Sequence, residues 1–275
     1  MTAAGIRMHV AEAGSGEPLL LLHGWPQHWW MWRELIPPLS ERYRVIAPDL
    51  RGFGWTDAPP GRYDKHRFAE DVRALLDVRE VDRFRLVGHD WGGMAGFELC
   101  LRHPDRVQRY LALGTVHPWT TVDLRTVSHL WRFWYQWVIS APLAGRLVMQ
   151  SVPAFARAAS SFWTVNKAAW SDADRALFLD QFRERERAEA TVRLYRSIPG
   201  RESLPAIRGA TRRDHLTVPT LFLHGAGDGA IHPALLRGFE EHVDDMHLEL
   251  IDGCGHFLPE ECPDLVLARA LDFLA

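Results

Sequence analysis

Residues 86–94 read LVGHDWGGM, and they carry the strongest signal for the fold. A short aliphatic run that ends in Gly-His-Asp-Trp-Gly-Gly predicts a strand that turns sharply into a helix and holds one side chain out at the bend. Gly88, Gly92 and Gly93 are the small residues that the tight bend and close helix packing require. The side chain at the bend belongs to Asp90, at a helix N-terminus where unpaired N–H groups favour a charged carboxylate.

Strands and helical stretches alternate on both sides of this bend. The predicted strands are residues 19–22, 44–47, 84–88, 110–113, 220–223 and 248–251, with a final helix near 263–274. The run IRMHVAEAG predicts a further strand at the start of the chain. Short apolar strands that alternate with amphipathic stretches are typical of a mostly parallel sheet flanked by helices, so the predicted fold class is α/β.

The alternation stops between residues 118 and 213. This segment contains no convincing strand and has helical periodicity in SDADRALFLDQFRERERAEATVRLYRSI. We therefore predict an all-helical cap over residues 118–213, inserted into a core of residues 1–117 and 214–275.

The composition excludes several classes of protein. The 275 residues are 47% hydrophobic and carry a formal net charge of −3 without long runs of like charge, which argues against nucleic-acid binding. Cys100, Cys254 and Cys262 lack the spacing of a metal site, so we expect neither a metal centre nor a disulfide framework. No apolar run reaches the roughly 18 residues of a membrane span, and no secretory signal is visible. The prediction is a cytoplasmic protein without a cofactor, as a monomer or homodimer.

Two further residues form a possible catalytic triad with Asp90. Asp228 follows the run TLFLHG and His256 follows LELIDGCG, so both lie at strand ends, where sites assemble in open α/β sheets. A histidine acts as a base when a carboxylate holds its tautomer, which assigns Asp228 to orient His256. Alone, these residues would be interpreted as a helix N-cap, a turn residue and a loop histidine. The chain order nucleophile, acid, histidine favours the triad.

The run LLLLHGWPQ precedes the triad and contains His23, Trp25 and Pro26. An oxyanion is stabilised by backbone N–H groups that point at it, and one such donor is worth about 3 kcal/mol. We predict that the amides of Trp25 and Trp91 form this oxyanion hole. A tight strand-to-loop turn is the structural alternative and is compatible with that role.

The segments HGWP, DLRGFGWTD, GHDWGG, HGAGD and GCGHF resemble those of the α/β-hydrolase superfamily, and among its members the epoxide hydrolases, over essentially the whole chain. The resemblance implies an α/β-hydrolase fold, with Asp90 as the nucleophile in the branch shared by epoxide hydrolases and haloalkane or haloacid dehalogenases. A carboxylate that attacks saturated carbon leaves an alkyl ester, which water activated by His256 then hydrolyses. Serine would leave an ether that water does not readily cleave.

The choice between epoxide and halide depends on the leaving group. An alkoxide needs a proton donor, and the resemblance implies two lid tyrosines, Tyr135 in RFWYQWVISAP and Tyr195 in VRLYRSIP, as ring-opening acids. Aromatic core of the cap is the alternative for both. The expected substrate is a small apolar epoxide with water as the second reactant, since ligand pockets rely on apolar walls. Predicted substrate contacts are His23, Pro26, Trp134 and Phe257.

Two alternatives stay open. A dehalogenase would use the same triad, although Trp25 replaces the Asn or Glu that such enzymes often carry there, and His129 with Trp134 leaves a fluoroacetate-type enzyme possible. The second alternative is a ligand-binding member of the fold without turnover. The remaining histidines are predicted to be turn or rim residues: His28, His117, His224 and His232.

Overall fold

The computed structural model of the chain describes residues 1–120, 129–141, 144–151, 153–204 and 208–275. Two short strands, β1 Thr2–Ala3 and β2 Ile6–Arg7, form an antiparallel pair. The main sheet contains β3 Val10–Ala13, β4 Glu17–Leu22, β5 Tyr43–Pro48, β6 Phe84–His89, β7 Val107–Leu113, β8 Thr220–Gly225 and β9 Met246–Ile251.

The strand order in this sheet is β3-β5-β4-β6-β7-β8-β9. Only the edge pair β3 and β5 is antiparallel within it, and the other neighbours run parallel. Residues 19–22 of β4 are completely buried, as expected for a central strand with both faces covered. The predicted α/β class with a mostly parallel sheet is confirmed, and each of the six predicted core strands lies within an observed one. The strand predicted from IRMHVAEAG is divided between β2 and β3.

Helices of the core cover both faces of this sheet. The first three along the chain are α1 Ile36–Ser40, α2 Lys65–Val78 and α3 Trp91–Arg102. Asp64 caps α2, because its side chain accepts a hydrogen bond from the Arg67 amide at 2.9 Å. Helix α3 starts directly after β6, so the strand-to-helix bend predicted at Asp90 is present.

Between β7 and β8, the regular elements that the structure describes are helices. They are α4 Trp134–Ser140, α5 Ala144–Ser151, α6 Pro153–Trp163, α7 Asp172–Leu179 and α8 Arg185–Ser197, with short 3-10 turns and one π turn between them. A reciprocal capping box between Ser171 and Asp174 starts α7. We call the described part of residues 118–213 the helical insertion.

The C-terminal part of the chain holds α9 Leu258–Glu261 and α10 Pro263–Phe273. Cys254 and Cys262 form a disulfide across the loop that enters α9, contrary to our expectation. Their Cα atoms are 6.5 Å apart because α9 folds the chain back, a proximity that cysteine count and spacing do not reveal. Cys100 is buried as a free thiol.

Candidate active site

Asp90 lies at the bend between β6 and α3, with φ +50° and ψ −118°. A non-glycine residue in this region is strained, and such strain clusters at functional sites. The bend is held by hydrogen bonds, since the Asp90 carbonyl accepts the Thr115 hydroxyl at 2.7 Å and the Met94 amide at 3.0 Å. The backbone therefore fixes the direction in which the Asp90 carboxylate leaves the sheet.

Two glycines make room for this bend. A β-carbon on Gly92 would overlap the carbonyl oxygens of Leu22 and His23, so α3 approaches β4 closely only without a side chain there. A β-carbon on Gly24 would overlap the Asp90 side chain itself. The loop after β4 and the bend after β6 are thus matched in shape.

Asp90, Asp228 and His256 meet at the C-terminal edge of the sheet. The His256 Nδ1 atom lies 2.8 Å from Asp228 Oδ2, and its Nε2 atom lies 3.6 Å from Asp90 Oδ2. A carboxylate only accepts hydrogen bonds, so Nδ1 carries a proton and Nε2 faces Asp90. Asp228 is anchored in turn, because its Oδ1 accepts the amides of Ala230 at 2.7 Å and Ile231 at 2.8 Å.

The electrostatics of the three groups follow from burial and mutual charge. Burial alone would lower the pKa of His256, but the carboxylates of Asp228 and Asp90 outweigh it and raise the pKa to about 10. Burial would raise the pKa of Asp228, whereas His256 and the bonded amides hold it below its usual value. His256 is therefore an imidazolium between two carboxylates when the site is empty.

The Trp25 amide donates to Asp90 Oδ1 at 2.8 Å. This contact puts a backbone donor on the same oxygen that would carry charge if the carboxylate became an ester and then a tetrahedral intermediate. Trp91 follows Asp90 directly and is the first residue of α3. Both residues of the predicted oxyanion hole therefore flank the Asp90 carboxylate.

The rings of Tyr135, from α4, and Tyr195, from α8, pack edge to face, and both are close enough to Asp90 to feel its charge. Their ring centroids are 5.7 Å apart, and Tyr195 packs 5.5 Å from Trp25 and 6.0 Å from Trp91. Tyr135 packs 4.6 Å from Trp163. Burial and the nearby negative charge of Asp90 raise the pKa of both phenols, which keeps them protonated at neutral pH.

The other predicted contact residues have different surroundings. Phe257 is completely buried and its ring lies 5.0 Å from that of His256. His23 Nε2 accepts the Leu50 amide at 2.8 Å, and Nδ1 lies 3.1 Å from the Gly24 carbonyl, so the ring supports the loop. The Pro26 carbonyl accepts from the Gln181 side chain at 3.0 Å.

Trp134 and His129 have more open surroundings. Trp134 is 51% exposed, whereas Tyr135, the next residue of α4, is buried. His129 stacks on His232, with ring centroids 3.6 Å apart, at the boundary between insertion and core.

Of the four remaining histidines, His224 lies within β8 and is not the turn or rim residue that we predicted, whereas His28, His117 and His232 lie in loops and accept a local backbone amide. His28, His117 and His224 are buried, and burial lowers the pKa of each. The Nε2 atom of His224 lies 2.8 Å from the Ile231 carbonyl and 3.3 Å from Asp228 Oδ2, so this histidine supports the triad carboxylate. Their neighbours come from distant segments, which local sequence does not indicate.

Sequence reasoning also missed the residues that hold the backbone of His256. The His89 ring donates from Nε2 to the His256 carbonyl at 2.9 Å, and the His256 amide donates to the Trp163 carbonyl at 3.0 Å. The Glu261 carboxylate accepts the amides of Gly255 and Phe257 on either side of His256. The sequence feature that could have indicated these contacts is the pair of glutamates in the otherwise apolar stretch FLPEECP.

Neither a metal-ligand cluster nor a membrane-spanning helix is present among the described residues. No group of three or more His, Cys, Asp or Glu side chains in this part of the chain is arranged to hold a metal ion. None of its helices has both the length and the apolar character that crossing a bilayer demands.

Comparison with protein families adds a match over most of the chain. A family model described as the alpha/beta hydrolase fold matches residues 17–263. Among curated proteins, the soluble epoxide hydrolase of Corynebacterium sp. (strain C12) is 34% identical over 98% of this chain and 94% of its own length. The cis-3-alkyl-4-alkyloxetan-2-one decarboxylase of Shewanella oneidensis is 28% identical over 98% of this chain and 86% of its own length.

Solved structures include similar chains. The epoxide hydrolase CorEH without ligand has a TM-score of 0.83 and 30% sequence identity. The match covers 99% of this chain and 96% of that one.

Proposed function

The chain belongs to the alpha/beta hydrolase fold family, and on that premise we propose that it hydrolyses an epoxide to a vicinal diol through an ester on Asp90. Relatives named as epoxide hydrolases match it over nearly its full length, which supports this reaction at the level of the family. One observation carries the finer proposal: His256 Nε2 lies 3.6 Å from Asp90 Oδ2, and Trp25, whose amide donates to Asp90 Oδ1 at 2.8 Å, packs against the rings of both Tyr135 and Tyr195.

We propose that residues 118–213 are the cap of this enzyme, and that residues 1–117 and 214–275 are its catalytic core. The packing of Tyr135 and Tyr195 on Trp25 supports this division, because the two tyrosines come from the insertion and the tryptophan from the core. A cap of this kind excludes water while the carboxylate reacts.

The first step opens the ring. Asp90 Oδ2 forms a bond to one epoxide carbon while the bond from that carbon to the ring oxygen breaks. Tyr135 or Tyr195 donates a proton to the ring oxygen, and the other donates a hydrogen bond. The tyrosine recovers its proton from the His256 imidazolium through solvent, which leaves the imidazole neutral.

The second step hydrolyses the ester. His256 takes a proton from water, and the water oxygen adds to the ester carbon while negative charge develops on Oδ1, beside the Trp25 and Trp91 amides. Collapse expels the second diol oxygen, which takes the proton back from His256. The new carboxylic acid on Asp90 then loses its proton to His256, and the starting charges are restored.

The charges of Asp90 and Asp228 determine when His256 can act as a base. Before the reaction, two carboxylates raise the pKa of His256 to about 10, so the imidazolium cannot act as a base. Ester formation removes the charge of Asp90 and leaves Asp228 as the only adjacent carboxylate. The pKa of His256 must then fall, so the base becomes available once there is an ester to hydrolyse.

The substrate that we propose is a small apolar epoxide. Trp25, whose amide donates to Asp90, packs against the rings of Tyr135, Trp163 and Tyr195, and the polar atoms of these rings are few. The decarboxylase relative from Shewanella oneidensis indicates that family membership alone does not select the epoxide. The paired tyrosines favour it, because an alkoxide leaving group requires a proton donor.

The test is one turnover of styrene oxide in ¹⁸O-water, with enzyme in excess. The first diol should contain no solvent oxygen from the ester route, and Asp90 should gain one ¹⁸O atom by peptide mass spectrometry. Repeated turnover should then label the diol. A first diol that contains ¹⁸O beside an unlabelled Asp90 would overturn the covalent mechanism.

The same preparation tests the two alternatives. Incubation with 1-chlorobutane and with fluoroacetate should release no halide if the paired tyrosines serve an epoxide. Halide release without diol formation would identify a dehalogenase. Reversible binding of styrene oxide without product or label would identify a binding protein.

A further inference from the structure

The carboxylate of Glu261 binds two segments, one adjacent to it in the chain and one about 95 residues earlier. Its Oε2 atom accepts the Val165 amide at 2.7 Å, the Asn166 amide at 3.0 Å and the Gly255 amide at 3.0 Å. Its Oε1 atom accepts the Phe257 amide at 3.1 Å. Val165 and Asn166 belong to the helical insertion, whereas Gly255 and Phe257 flank His256.

The hydrogen-bond donors to the buried Glu261 carboxylate are backbone amides. The residue is 6% exposed, and no Lys or Arg side chain of the described residues forms an ion pair with it. Hydrogen bonds from backbone amides to a carboxylate are roughly twice as strong as neutral ones. The four amides therefore depend on the charge of Glu261, and no other side chain of this loop replaces it.

The three consecutive amides around His256 are all engaged. Those of Gly255 and Phe257 donate to Glu261, and that of His256 donates to the Trp163 carbonyl. A β-carbon on Gly255 would overlap the Trp163 carbonyl oxygen, so the two segments are in close contact. The backbone of the catalytic histidine thus rests on the insertion.

From these contacts we propose that Glu261 is a positioning residue for His256, and that it makes the alignment of the imidazole depend on a closed cap. This inference rests on the proposed function, because it concerns the ester-hydrolysis step. Ring opening needs Asp90 and the tyrosines, whereas ester hydrolysis needs an imidazole aligned with the ester. A displacement of about 1 Å costs about 100-fold in rate.

Glu261→Gln is the first test. The amide keeps the size of the side chain, but its NH₂ group is a donor and must face at least one backbone N–H. With styrene oxide, rapid quenching and intact mass should show that the ratio of ester hydrolysis to ester formation falls about 100-fold, so that the ester on Asp90 accumulates. An equal change in both rates, or no change, would overturn the proposal.

Glu260→Gln is the matched control. Glu260 is the adjacent residue and is equally buried, but its carboxylate binds Gln27 at 2.9 Å and Arg33 at 2.7 Å, away from the histidine loop. This variant should keep the ratio of the two rates at the wild-type value, whatever it does to stability. A fall in the ratio equal to that of Glu261→Gln would also overturn the proposal.

A measurement without substrate separates this proposal from the proposed function. The His256 Nδ1 proton, bonded to Asp228 at 2.8 Å, should give a low-field NMR resonance in the wild type. The resonance should be lost or shifted in Glu261→Gln and retained in Glu260→Gln. If styrene oxide leaves no ester on the wild type, the proposed function fails, and this resonance still decides the role of Glu261.

A second pair of variants decides the matter if Glu261→Gln does not fold. Asn166 has φ −78°, which proline can adopt, so Asn166→Pro removes the amide that donates to Glu261. Asn166→Ala loses the same side chain and keeps the amide. The ratio of ester hydrolysis to formation should fall in the proline variant only. Equal ratios in the two variants would overturn the link between cap and histidine.

Discussion

The core half and the inserted half of this site are held by different kinds of contact. Asp228 and His256 are joined by a hydrogen bond of 2.8 Å, and each is tied to backbone groups at 2.7 to 3.0 Å. Tyr135 and Tyr195 are held mainly by rings whose centroids lie 4.6 to 6.4 Å away. Hydrogen bonds lose strength steeply with displacement, whereas ring packing tolerates several arrangements.

This contrast separates the two steps of the proposed reaction. The proton donors of ring opening are attached to helices of the insertion, and the base of ester hydrolysis is attached to loops of the core. Variants of the core should therefore stop the second step nearly completely. Variants of the insertion should slow the first step by smaller factors.

The largest effect is expected for Asp228→Asn. The amide can no longer stabilise the imidazolium and favours the wrong tautomer of His256, so diol turnover should fall about 10⁴-fold while the ester on Asp90 accumulates. Asp244→Asn is the control, since Asp244 binds His215 at 2.7 Å on the surface. Steady-state turnover and intact mass measure both. A loss below about tenfold at Asp228 would contradict the role of the core hydrogen bonds.

The next effect concerns stability and pH. The pKa of His256 rises from 6.5 to about 10 on folding, so its ion pairs stabilise the protein fully below about pH 6.5. That contribution is lost as the pH rises towards about 10. The difference in unfolding free energy between wild type and His256→Gln should therefore shrink by a few kcal/mol across this window. Urea titrations at several pH values measure it, and a constant difference would contradict the assigned charge.

A smaller effect is expected for Tyr135→Phe and Tyr195→Phe. Each removes one hydroxyl and keeps the ring that packs against Trp25, so ester formation should slow about 100-fold while ester hydrolysis is retained. Tyr63→Phe is the control, because the Tyr63 hydroxyl donates to Pro59 away from the triad. Single-turnover kinetics separate the two steps. If ester hydrolysis slowed instead, the assignment of ring opening to the insertion and of ester hydrolysis to the core would be wrong.

The parts of the site that could be predicted from sequence are those that one local pattern specifies. Asp90, Asp228 and His256 each follow an apolar run that reads as a buried strand, and parallel strands bring their C-terminal ends to one edge. The bend at Asp90 was visible because glycines are required on both sides of it. Local sequence therefore predicted the fold class and which residues meet.

The contacts that sequence could not predict join distant segments. Glu261 binds backbone amides about 95 residues away in the chain. The type of a residue does not indicate which partner its backbone amide binds. Trp134 was predicted to contact the substrate, and helical periodicity alone does not decide which face of α4 is buried. The structure buries Tyr135 and Ile139 and exposes Trp131, Trp134 and Trp137.

The smallest effect is expected on that exposed face. Trp137 is 73% exposed, so Trp137→Gln removes little buried area and should change the unfolding free energy by less than about 0.5 kcal/mol. Turnover of styrene oxide should stay at the wild-type rate, although Trp137 is only two positions from Tyr135. Thermal and urea unfolding measure the first effect, and diol formation measures the second. A destabilisation above about 1 kcal/mol would mean that this face of the insertion is covered in solution, because an exposed indole contributes little to folding.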